Sequence, residues 1–158
     1  MNVNPTVKRV VVSAVCLASV VLLAACGTTD VTQTRLEDAV APTFANLYVQ
    51  QAAILGHNGV TVASTAASAS CDRGGPNVAD KGPGADWICM IHFTDDTHTP
   101  QDGKFELQVK ANSCYTAGGP SKLVGLVTIT DTHGHDVPNA VFEFDGCFDP
   151  SARKELFG

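Results

Sequence analysis

The stretch KFELQVK, residues 104–110, sets Phe105, Leu107 and Val109 on one side of an extended chain and Lys104, Glu106, Gln108 and Lys110 on the other. A strict period of two marks a β-strand with one face in a core and the other in water. Working outward, WICMIHF at residues 87–93 reads as an apolar strand. LVGLVTIT at residues 123–130 reads as a third, and AVFEF at residues 140–144 as a fourth. Residues 60–67 form a weaker candidate built from small side chains. The segments between are rich in Gly, Pro, Asn and Asp, and residues 71–85, with RGGPN and KGPGAD, read as a loop. Short strands with no helical pattern between them pair as antiparallel neighbours.

Ahead of the strands the period lengthens. Leu36, Val40, Phe44, Leu47 and then Ile54 or Leu55 recur at helical spacing, so residues 31–55 are expected to be a helix. Thr34 with Glu37 three residues on has the form of a capping box, and Gly56 is a natural stop. Pro42 either kinks the helix or restarts it in a first turn. The stripe Phe44, Leu47 and Tyr48 is expected to pack on the sheet; the other reading is a face offered to a partner. The predicted fold class is α+β: one N-terminal helix on an antiparallel β-meander of four to five strands, with no internal repeat and no second domain.

The chain has 158 residues, 44% hydrophobic and 16% charged, with a formal net charge of −6. That is enough for one domain with a real core. No basic patch is present, which argues against nucleic acid as a partner.

The first residues have a separate character. Lys8 and Arg9 precede an apolar run at residues 10–25, broken only by Ser13, Cys16 and Ser19. The run falls short of the roughly 20 residues needed to span a bilayer and suits a cleaved secretion signal better. It ends in Leu23-Ala24-Ala25-Cys26, then Gly27. This segment resembles the lipobox of bacterial lipoproteins. The resemblance implies a diacylglyceryl thioether on Cys26 and cleavage before it. Residues 1–25 would then be a signal peptide, 26–30 the lipidated cysteine and a short tether, and 31–158 a single domain. The alternatives are an uncleaved N-terminal helix or an ordinary secretion signal. Two acyl chains hold a protein firmly, at about 0.8 kcal/mol per buried CH₂. Loss of the leader removes Lys8 and Arg9, leaving 8 basic residues against 16 acidic ones, a formal charge of about −8. Such a chain is pushed away from an anionic bilayer.

Of six cysteines, Cys16 would leave with the signal and Cys26 would carry lipid. Cys71, Cys89, Cys114 and Cys147 remain, an even number that suits two disulfides in an exported domain. Three pairings are open; Cys71–Cys89 with Cys114–Cys147 is favoured. A zinc cluster is the competing use, but the spacings are wide and no C-x-x-C pair is present. In a meander, alternate turns share one end of the sheet. Residues 94–103 and 131–137 would therefore gather Asp95, Asp96, His98, Asp102, Asp131, His133, His135 and Asp136. Of these, His98, Asp131, His133 and His135 are the leading candidates for a divalent cation such as zinc, nickel or copper. Turn chemistry explains the same residues without a metal. The cysteines and Trp87 are expected to form a structural knot at the other end.

The blocks DWIC, NSCYTAGGP and FEFDGCFDP resemble those of small lipoproteins and secreted proteins of actinobacteria. That resemblance covers most of the mature chain and implies no reaction. The sequence has no G-x-S-x-G, no H-E-x-x-H and no phosphate loop, since KGPGAD lacks the following Lys-Ser/Thr and Pro83 removes a donor. His92 lies in a strand, and Asp95 and Asp96, being adjacent, would face opposite ways. The expectation is a non-enzymatic protein without cofactor, held to the extracytoplasmic face of the cell membrane by lipid. It would act as a binding or accessory module for an envelope protein or small ligand. The alternative is a structural envelope protein, or a stabiliser of another exported protein that uses an exposed helix stripe.

Overall fold

The computed structural model describes residues 31–148. Residues 1–30, on which the expected signal peptide, lipidated Cys26 and tether fall, and residues 149–158 lie outside them. Helix α1 (Gln33–Ile54) is followed by a single turn, α2 (Val62–Thr65), and then by β1 (Ser68–Asp72), β2 (Gly84–Thr94), β3 (Pro100–Val109) and β4 (Cys114–Gly118). An excursion of α3 (Ser121–Val124), β5 (Thr128–Thr130) and β6 (Asp136–Pro138) precedes the last strand, β7 (Glu143–Cys147). The main sheet has five strands in the order β1-β2-β3-β4-β7, every neighbour antiparallel, and β5 with β6 makes a separate hairpin. The α+β expectation holds, with the helix on one face of the sheet.

The period of two in β3 is borne out. Phe105, Leu107 and Val109 are buried, while Lys104, Glu106 and Gln108 are exposed. Phe44 of α1 meets Phe93 of β2 and Phe105 of β3 edge-on, with ring centroids 4.8 and 5.5 Å apart. Phe44 is 0% and Tyr48 8% exposed, so the helix stripe is core. Such edge-to-face pairs are worth about 0.5–1.5 kcal/mol beyond area burial.

The helix start differs from expectation. Thr32, not Thr34, is the cap, and its side chain accepts from Arg35 N. Glu37 is instead committed to the sheet: its Oε1 accepts from Cys71 N on edge strand β1 at 2.8 Å and from Gln33 Nε2 at 3.0 Å. The helix runs unbroken past Pro42, whose ring lies on the exposed side. Nearby side chains bond the carbonyls of that turn, Thr43 Oγ1 to Ala39 O and Asn46 Nδ2 to Pro42 O. Gly56, at φ +88°, ends the helix as expected, with Gly56 N bonding Ala53 O and His57 N bonding Ala52 O. That pair of bonds is the Schellman arrangement, which needs a left-handed residue at this point.

Three strand expectations are corrected. Residues 60–67 contain α2, because Thr61 and Ser64 bond each other's backbone reciprocally and hold a helical turn. Strand β1 begins only at Ser68, so Cys71 lies in a strand rather than a loop. Residues 123–130 are not one strand: Gly125, at φ +88°, separates α3 from β5. The fourth strand of the sheet is β4, whose sequence CYTAG carries little apolar signal. The last strand starts at Glu143, three residues later than read.

Both disulfides form in the favoured pairing and join directly opposed residues of neighbouring strands, with Cα atoms 4.0 Å apart for Cys71–Cys89 and 3.9 Å for Cys114–Cys147. They do not form one knot with Trp87. Cys71 and Cys89 face the core, whereas Cys114 and Cys147 lie on the outer face, so the sheet is stapled on opposite sides. Trp87 is 1% exposed, and its Nε1 donates to Gly82 O.

Candidate functional site

The carboxyl end of α1, the turn between β2 and β3, and the excursion after β4 enclose a cleft of about 250 Å³. Its apolar surface comes from Ala52 and Leu55 of the helix, Leu123 and Val124 of α3, and Ile129 of β5; its polar groups are Tyr48, Gln51, His57 and Asp96. Leu126 and Val127, in the excursion between α3 and β5, are 69% and 61% exposed. No helix among the described residues is long and apolar enough to cross a membrane.

Local chemistry fixes each polar group. The left-handed Gly56 turns the chain so that His57 Nδ1 meets Asp96 Oδ2 at 2.5 Å. Asp96 is held by its neighbour's turn. The Asp95 carboxylate accepts from Thr97 N, Thr97 Oγ1, Thr99 N and Gln101 Nε2 at 2.7–2.9 Å. Those bonds, led by the Thr97 hydroxyl, hold the Asp95 carboxyl down at about 2. Asp96 N donates to Tyr48 Oη at 3.3 Å. Burial, opposed in part by that bond, raises the Tyr48 phenol above its ordinary value, and the nearby Asp96 and Asp95 charges add to the rise.

Gln51 is the innermost polar group. Its Nε2 donates to Val124 O at 2.6 Å and to Asn139 Oδ1 at 2.9 Å. Asn139 Nδ2 in turn donates to Val124 O and Leu126 O, while Val141 N donates to Asn139 Oδ1. This network ties the excursion to the helix and shapes the cleft wall.

The turns expected to share one end do flank the helix terminus: Asp96 lies against His57, and Thr132 lies beside Gly56. The candidate cation ligands His98, Asp131, His133 and His135 are not gathered into one site. Among the described residues, no group of three His, Cys, Asp or Glu side chains could hold an ion. The Asp131 carboxylate is taken by its own hairpin, accepting from His133 N and His135 N at 2.8 and 2.9 Å. Those backbone bonds, His135 first, lower its carboxyl. Asp136 accepts from Thr130 Oγ1 and Asp102 faces His92, while His98 sits at φ +63° in the other turn.

A second constellation crosses the outer face of the sheet. Ser68, His92 and Asp102 are register partners on β1, β2 and β3, and His92 Nδ1 lies 2.6 Å from Asp102 Oδ1. The residue types are those of a hydrolytic triad. The side chains of His92 and Asp102 are 49% and 68% exposed on the outer face of the sheet, open to water. The arrangement serves as an exposed cross-strand pair.

No protein-family model, curated protein or solved structure matches the chain. Gln51, His57 and Asn139 were not among the expected site residues, and Tyr48 was expected only in the core stripe or on a partner face. The available signal was Gln51, a polar residue at helical spacing from Phe44 and Tyr48 on an otherwise apolar stripe.

Proposed function

We propose that this chain is a bacterial lipoprotein, anchored through Cys26 on the extracytoplasmic face of the membrane, and that its folded domain is a non-enzymatic binding module. The observation that carries the binding reading is the open cleft at the carboxyl end of α1, with polar groups set at fixed positions over an apolar floor. Ligand sites have this form. The rival stabiliser reading needs a free helix stripe, and Phe44 and Tyr48 are spent on the core. Export is supported by the lipobox-like Leu23-Ala24-Ala25-Cys26 and by two disulfides, bonds that persist in oxidising compartments.

Two measurements test this function. A Cys26→Ala variant expressed with a labelled fatty acid is expected to lose both label and membrane retention; retention of either contradicts the anchor. A small-fragment screen read by amide NMR is expected to give hits whose shifts concentrate on Gln51, His57 and Gly125. Hits that map only to the outer sheet face contradict the site.

A further inference from the structure

The polar lining of the cleft is Tyr48, Gln51, His57 and Asp96, with His57 Nδ1 against the Asp96 carboxylate. Gln51 is 6% exposed, and its Nε2 is held by Val124 O and Asn139 Oδ1, which fixes which end of the amide is oxygen. Both of those bonds use the Nε2 end of the amide, and the Gln51 side chain lines the cleft. Asp96 adds a carboxylate, with Oδ2 facing His57 and its side chain 27% exposed. The negative end of the α1 dipole falls at the same place. No Lys or Arg lines the cleft. The chain's excess of acidic residues adds a field that draws cations in.

We propose that the cleft binds a small organic cation: an ammonium group on a compact apolar body. This inference rests on the cleft being a ligand site. The ammonium donates to Gln51 Oε1 and to the Asp96 carboxylate, and the apolar body packs on Leu55, Leu123 and Ile129. A –NH₃⁺ group, with three donors and no acceptor, suits the Gln51 side-chain oxygen and the Asp96 carboxylate. The size fits, since a cavity of about 150 Å³ holds benzene and the cleft is about 250 Å³, room for a ring and a short amine chain.

Three near-isosteric probes test the assignment on the mature lipidated protein in maltoside micelles: 2-phenylethylammonium, 2-phenylethanol and phenylacetate. The ammonium is expected to shift the Gln51 side-chain amide and His57, and to bind about tenfold or more tightly than the alcohol, as a charge-assisted bond to a carboxylate provides. Phenylacetate is expected not to bind. Asp96→Asn, in the turn between β2 and β3, is expected to abolish the ammonium's advantage over the alcohol. Binding of the alcohol or phenylacetate in the cleft as tightly as the ammonium overturns the cation assignment and leaves the cleft as a site. An ammonium preference unchanged in Asp96→Asn overturns it as well. Failure of all three probes to shift cleft resonances overturns both.

Discussion

Gln51 and Asn139 stand 88 positions apart in sequence, yet the Gln51 side chain donates to Asn139 Oδ1 at 2.9 Å. Together with the Gln51 Nε2 bond to Val124 O, this contact fastens the excursion between β4 and β7 to the end of α1 and shapes the cleft wall.

Removing that link is expected to open the site before it unfolds the sheet. In Asn139→Ala, Gln51 Nε2 loses one acceptor, and Val124 O and Leu126 O lose a donor. Unpaired buried groups cost about 1–3 kcal/mol each. Chemical denaturation is expected to show a loss of about 2–4 kcal/mol. Amides of residues 121–139 are expected to exchange faster than those of β2 and β3. Uniform exchange across the domain contradicts this picture.

The disulfides are expected to respond differently to reductant. Cys71 and Cys89 are 1% and 0% exposed, whereas Cys114–Cys147 lies on the outer face. Mild reduction followed by alkylation and mass spectrometry should trap Cys114 and Cys147 first. Loops of 18 and 33 residues predict losses of about 3 and about 4 kcal/mol when each bridge is removed by paired alanine substitution. Earlier labelling of Cys71 and Cys89 contradicts the face assignment.

Glu37 guards an edge. Its carboxylate accepts the Cys71 N–H of edge strand β1. Glu37→Ala is expected to cost about 1–3 kcal/mol and to expose a strand edge that promotes self-association. Thermal melts and light scattering check both effects; a variant as stable and monodisperse as the parent contradicts the role.

The turn between β2 and β3 is expected to make the domain acid-sensitive. The Asp95 carboxyl is lowered from 3.8 to about 2 in the fold, so its contribution is fully present above about pH 4 and is lost as pH falls toward 2. Asp86, lowered chiefly by its bonds to Arg73, and Asp131 act in the same direction. Melting temperature is expected to fall through this window, and less steeply in Asp95→Asn. An equal slope in the variant contradicts the assignment.

The frame of the fold was legible where side chains announce a buried face. Phe105, Leu107 and Val109 gave β3, the Phe44 stripe gave α1, and the even set of four cysteines gave two disulfides. It was illegible where the backbone decides. The apolar run at residues 123–130 reads as a strand until Gly125 takes a left-handed φ, and the Thr61–Ser64 cap turns a strand-like segment into helix. Strand β4 is short and polar because its outer face carries Cys114, Thr116 and Gly118. The cleft was hidden for a further reason: it is assembled by Gln51 and Asn139 across a long excursion, a relation that periodicity cannot express. The clustered Asp and His residues drew attention instead, and they are engaged by their own turns.

If the domain is lipid-anchored and oxidised, intact-mass analysis of the native protein with N-terminal fragmentation is expected to show a chain that begins at Cys26, carries a diacylglyceryl mass on that residue, and is four hydrogens lighter than its thiol form, as two disulfides require. A mass that retains residues 1–25, or a mature terminus elsewhere with no acyl group, contradicts it.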